Sequence, residues 1–239
     1  LSRHNKTFTS VQENLLKEAG SYTNTRYSII TLTLKRLIET DKDFRDLLLF
    51  IGLLDSQNIP RSLLDTYKNS ILVDKFIYNL KKYSLIMYEL PSSFENNFFL
   101  SIHRSTQEII LAYFNGENLE KNNKSIQLIA SSLETYISDT IYRENFSIMI
   151  HLASHCEKFL SHNGVFASSI GGSIGGALGI IHFYLGNYII AKKFLEEGLT
   201  NLENNPNENH GRIAQFLTYL GMVYRDLGNL KKEIGRAHV

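Results

Sequence analysis

One cysteine, Cys156, stands in 239 residues. That excludes an internal disulfide framework and fits a reducing compartment. Proline is scarce as well, at three residues, which favours long helices. Neither sign of charge is in excess: 25 basic against 24 acidic residues give a formal net charge of +1. Such a balance supplies no global pull toward nucleic acid or anionic membrane. No apolar run reaches the roughly 18–20 residues that span a bilayer. No basic segment followed by an apolar stretch opens the chain, so no secretory signal is visible and a cytoplasmic location is expected. No Gly-x-x-x-x-Gly-Lys-Ser/Thr occurs. Without a phosphate-cradling loop and a magnesium-binding acid, ATP hydrolysis is not expected, nor any other enzymatic role.

What is present is helical. A hydrophobic share of 43% supports one or two cores. Leu15–Leu16 and Ile29, Leu32, Leu34 and Leu37 suggest two short helices split by Gly20–Thr25 (residues 1–42, a helical lead-in). Phe44, Leu47, Leu48, Ile51 and Leu54 recur at helical spacing after acids that suit a helix start. Pro60 fits the first turn of a helix over Pro60–Tyr67. Ile71, Leu72, Phe76, Ile77 and Leu80 mark another. Ser84–Tyr88 and Phe98–Ile102 read as a β-hairpin around a Pro/Ser/Asn-rich loop. A helix over His103–Phe114 closes residues 43–114, in a winged-helix pattern. Residues 115–165 read as a helical spacer pair. One stripe runs through Ile126, Ile129, Ala130, Leu133, Tyr136 and Ile137. A second runs through Phe146, Met149, Ile150, Ala153, Cys156 and Leu160. Asn163–Gly164 reads as a stop.

Residues 166–233 repeat. Leu-Gly recurs at 178–179 and 220–221, and Leu-Gly-Asn at 185–187 and 227–229, both offset by 42. Gly179 and Gly221 lie mid-helix, where glycine costs roughly 1 kcal/mol against alanine, so close helix approach is expected. Gly186 and Gly228 are expected to end the first helix of each hairpin in a left-handed conformation. Tyr188, Ala191, Leu195 and Leu199 would line the second helix. The first unit (Leu178, Gly179, Gly186, Tyr188, Ala191) and the second (Leu220, Gly221, Tyr224, Gly228) resemble the tetratricopeptide repeat. The period of 42 resembles its kinesin-light-chain variant. Departures fall at Gly175, His182, Leu217, Leu230 and Glu233; at Gly175 the family has a large aromatic. The resemblance implies an α-solenoid binding a protein ligand through first-helix residues, with Tyr184, Asn187, Thr218 and Arg225 as candidates.

FRDLLLFIGLLDSQNIPRSLL, FIYNLKKYSLI and FLSIHRSTQEIILAYF resemble the winged-helix portion of bacterial NB-ARC/STAND signalling ATPases. There a nucleotide-binding domain precedes this part and tetratricopeptide repeats often follow. The resemblance implies that His103 contacts the β-phosphate of ADP in the intact protein. The family's next residue is an acid; here it is Arg104. No cofactor is expected on this chain itself, ATP or ADP belonging to an upstream domain. The expectation is therefore a fragment of a nucleotide-regulated signalling protein. The first residue is Leu, and Glu233–Val239 reads like a translated sequencing adapter. A non-native tail is expected at residues 234–239, beginning at Ile234, with a break in any helix at Gly235.

Other motifs carry weaker readings. IGGSIGGALG (Ile170–Gly179) lacks the lysine and strand of a phosphate loop; its spacings Gly171/Gly175, Gly172/Gly176 and Gly175/Gly179 suit close helix packing. His151, His155 and His162 are expected on a solvated helix face, without the Glu of a zinc-protease motif. Cys156 is expected to be buried. A winged helix can also read DNA, through Leu72–Lys82 with Lys75, Lys81 and Lys82. Between Asp43 and Phe114, however, 7 basic residues face 8 acidic ones, against phosphate-driven binding.

Overall fold

A computed structural model describes residues 21–91, 98–116, 123–162, 166–202 and 206–237. The expected helix at Leu15–Leu16, the hairpin loop and the stop at Asn163–Gly164 lie outside them. The fold is mainly helical with one small antiparallel sheet. Among the described residues no helix is long and apolar enough to cross a membrane.

The first half builds around α2 (Phe44–Leu53), whose residues are buried on nearly every side. Such an all-round apolar helix belongs at the centre of a core. Against it lie α1 (Ser21–Thr40) and α5 (Arg104–Gly116). The buried Gln107 amide on α5 donates to the carbonyls of Ile51 and Leu54, satisfying groups at the end of α2. Between them run β1 (Ile59–Pro60), α3 (Arg61–Tyr67), α4 (Ser70–Lys82), β2 (Ile86–Pro91) and β3 (Phe98–Ile102). Asn69 caps α4 by accepting from the Leu72 amide at 3.0 Å. Leu72, Val73, Phe76, Ile77 and Leu80 turn inward, whereas Ile71, expected with them, is exposed. The sheet order is β1-β3-β2, with Ile59 opposite Leu100 and Ile86 opposite Ile102. The hairpin is as expected except that its first strand runs Ile86–Pro91 rather than Ser84–Tyr88, so Glu89–Pro91, expected as loop, are paired; β1 was not expected. Two residues are too short for any periodicity, and Pro60, lacking an N–H, fits an edge. The lead-in also differs: Ser21–Thr25, expected as a break, is the first turn of α1.

The second half is an array of antiparallel helices: α6 (Asn123–Tyr142), α7 (Phe146–Leu160), α8 (Ser168–Tyr184), α9 (Tyr188–Leu202) and α10 (Pro206–Ala237). Two turns in it are alike. Gly186 has φ +75°, with Gly186 N–H on Phe183 O at 3.0 Å and Asn187 N–H on His182 O at 2.8 Å. Glu144, 42 positions earlier, has φ +50°, with Glu144 N–H on Ile141 O at 3.0 Å and Asn145 N–H on Thr140 O at 3.1 Å. Both are the left-handed helix stop with its paired backward bonds. The pair read as a spacer, α6–α7, thus carries the same hairpin turn as α8–α9.

Close approach of α8 and α9 depends on missing side chains. A Cβ on Gly179 would lie 2.8 Å from Leu195, and one on Gly198 would lie 2.8 Å from the Gly176 backbone. A Cβ on Gly176 would strike the Phe216 ring of α10. The second unit departs from expectation. Among the described residues a Cβ on Gly221 or Gly228 would meet nothing within 4 Å, and α10 runs unbroken through Gly228 and Gly235. The stop at Gly186 is held by Ala191, Leu195 and Leu199 buried on the returning helix; among the described residues no returning helix lies on Gly221.

Candidate functional site

His103 heads α5, its carbonyl accepting from the Thr106 and Gln107 amides at 2.8 and 3.1 Å. Its ring is exposed, and Nδ1 lies 2.8 Å from Ser105 Oγ. With Arg26, Ile29, Thr33, Tyr83 and Met87 it lines an open cleft of about 500 Å³ between α1 and the sheet. Arg104 pairs with Glu108 at 3.4 Å one turn on.

The three histidines of α7 and its C-terminal turn do not form a solvated face. His155 is fully buried, its Nε2 on the Asn58 carbonyl at 3.0 Å. Because that partner only accepts, Nε2 carries the proton, and Nδ1 has no partner among the described residues. Burial pushes this imidazole down to about 4, against the Asn58 bond and the Asp55 charge. His151 is half-buried, its ring centre 5.0 Å from that of Phe99 in an edge-on arrangement, and burial lowers it too. His162 is half-buried, and burial with nearby Lys158 takes it to about 4. The expectation failed because α7 is covered on two sides, by α8 and by the sheet. Its buried set is Ile148, Met149, Leu152, Ala153, His155, Cys156 and Phe159, while Phe146 and Ile150 from the expected stripe are exposed. Cys156 is buried as expected, packed in the core of α7, and burial raises its thiol above the ordinary range. Among the described residues no three His, Cys, Asp or Glu side chains gather as metal ligands do.

The exposed Phe146 points to a different feature. Five aromatics connect where α6 turns into α7 and α8 turns into α9. Phe146 lies 6.0 Å from Tyr184, and Phe183 lies 5.8 Å from Tyr188 and 5.4 Å from Tyr219 on α10. The Tyr184 and Tyr219 hydroxyls share a hydrogen bond of 3.0 Å, and burial raises Tyr219 above its ordinary range. Phe146 itself is 48% exposed, and Tyr142 and Ile150, four residues before and after it, are 88% and 59% exposed. Of the candidates from sequence, Tyr184 belongs to the cluster. Thr218, next to Tyr219, is exposed and bonds back to Ala214. Asn187 closes the α8–α9 turn, its amide 3.3 Å from His182 Nδ1. Arg225 is exposed and held by Asp226 at 2.8 Å, and it also feels the charge of the cluster's Tyr188. Tyr224 turns toward α9, donating to Glu196 at 2.7 Å under the Lys192 ammonium. Tyr142, Phe146, Ile150 and Tyr219 were missed. Their signal was available: Asn145-Phe146 stands 42 positions before Asn187-Tyr188.

The chain matches no protein-family model, no curated protein and no solved structure.

Proposed function

We propose that this chain is a non-catalytic protein-interaction module. The supporting observation is the aromatic edge from Tyr142 to Tyr219. Phe146 and Tyr142 expose their rings beside the half-buried, mutually contacting Phe183, Tyr184, Tyr188 and Tyr219, and aromatic-rich, partly exposed surface of this kind is the usual composition of a binding hot spot. The two hairpins of like turn, at a period of 42, favour the tetratricopeptide reading of this half as an α-solenoid. The order helix, strand, two helices, two strands and closing helix favours the winged-helix reading of the other. On that reading the module belongs to a nucleotide-regulated signalling protein of the NB-ARC/STAND kind. The winged helix relays the ATP or ADP state of an upstream domain, with exposed His103 placed to meet a phosphate there. The repeats take a protein ligand.

Peptides selected from a random library on the purified chain test the interaction reading. Phe146→Ala and Tyr219→Ala should each weaken the selected binders by about 2 kcal/mol, or roughly 30-fold. Binders indifferent to both changes would refute it. The chain alone should show no tight binding of ADP.

A second reading, a DNA-binding regulator with a repeat sensor, draws on Lys75, Lys81 and Lys82, all exposed on α4 beside exposed Tyr78. Duplex binding that weakens steeply with salt would favour it. The acidic balance of residues 43–114 predicts a flat response.

A further inference from the structure

A second cleft, of about 430 Å³, opens at the other ends of the helices. Leu160, Phe166 and Phe194 form its walls, and Glu197 and Asn201 lie on its rim. Gly171, Gly175 and Gly198 also line it, and Gly175 is the telling one. A Cβ there would meet only Leu160, at 4.0 Å. Packing therefore does not demand this glycine, unlike Gly179 and Gly198, although it weakens the helix by roughly 1 kcal/mol against alanine. The positions 42 before and 42 after are Leu133 and Leu217, and Leu133 is fully buried. Leu217 is 54% exposed, so Leu133 is the equivalent that supplies a buried side chain; at Gly175 that side chain is missing and the cleft stays open.

The lining indicates what belongs there. Among the described residues Glu197 is the only charged one that lines it. The C-termini of α7 and α9, at Leu160 and Asn201, bring two negative helix ends to the cleft, against the one positive end of α8 at Ser168. The chain's own Lys193 already leans this way, 4.0 Å from Glu197 and 6.0 Å from the Phe194 ring centre. Both contacts are long, and its side chain is largely exposed. A tighter cation could displace it.

We propose that this cleft receives an arginine side chain from a partner protein. The aliphatic stem would pass Leu160 over Gly175, and the planar guanidinium would stack on Phe166 or Phe194 and pair with Glu197. The site is separate from the aromatic edge and does not depend on it.

The test is a titration of the full chain with N-acetyl-arginine amide, followed by amide NMR shifts, with N-acetyl-leucine amide in parallel. Saturable shifts at Gly175, Phe194, Gly198 and Asn201 are expected with the arginine probe. Glu197→Gln should weaken them by about tenfold, and Gly175→Leu should abolish them while the circular dichroism stays native. If Gly175→Leu fails to fold, Glu197→Gln decides. Absence of shifts at these residues overturns the proposal. So does tighter binding of the leucine probe, or an affinity unchanged by Glu197→Gln.

Discussion

Burial of His155 couples stability to pH. Its folded value of about 4 lies below the unfolded 6.5. Above pH 6.5 both states are neutral and the group is silent. As pH falls from 6.5 toward 4 the unfolded chain takes up the proton first, so stability is lost across that window. The loss approaches about 3 kcal/mol below the folded value. Asp55 and His151 are the ionisable groups facing it. Thermal melts at pH 7 and pH 4.5 should show a smaller drop for His155→Gln than for the native chain, with His162 supplying part of the residual slope. Gly198 is a second single-residue test. Its added methyl would press on the backbone of Gly176 and Gly172, so Gly198→Ala should cost about 1–3 kcal/mol in denaturant unfolding, although alanine favours the helix. The sequence allowed Cys156 and part of the small-residue seam (Gly172, Gly176 and Gly179) to be anticipated, whereas Gly171 and Gly175, expected in it, meet no neighbouring helix that closely. The burial of His155 was hidden because its partner is a carbonyl 97 positions away, on a left-handed Asn58. No local periodicity encodes that contact.

At the level of elements, the shared turn is the informative unit. Leu-Gly-Asn marked it at Gly186, where glycine tolerates the left-handed backbone. At Glu144 the same geometry is made without glycine, so the repeated word is lost while Asn145 survives as the cap, accepting from the Ile148 amide at 3.2 Å. Glu144→Gly should therefore stabilise the protein by about 0.5–1 kcal/mol, and Gly186→Ala should destabilise it by about 1 kcal/mol. Equilibrium unfolding measures both. Equal effects of the same sign would contradict the equivalence of the two turns. The unbroken α10 shows the complementary limit. A glycine permits a stop, but a returning helix that buries Ala191, Leu195 and Leu199 makes one. The phase of α7 was misread because a helix covered on two sides presents two overlapping stripes, and only tertiary contacts choose between them.

Across the whole molecule, the two halves are joined by polar contacts as well as by packing. Ser62 meets the Tyr136 hydroxyl at 2.8 Å, and Ser125 donates to Asp46 at 2.9 Å. Arg212 of α10 reaches back over α8 to Glu134 of α6, with both guanidinium contacts at 2.8 Å. The array is thereby braced, and its aromatic edge is held on helices rather than on loops. That edge is the centre of the functional reading. The most direct measurement is the contact footprint of a library-selected peptide on the full chain, mapped by cross-saturation NMR. Saturation at Tyr142, Phe146, Ile150, Tyr184 and Tyr219 is the expected result. A footprint confined to α1–α5, with these five residues silent, would contradict it.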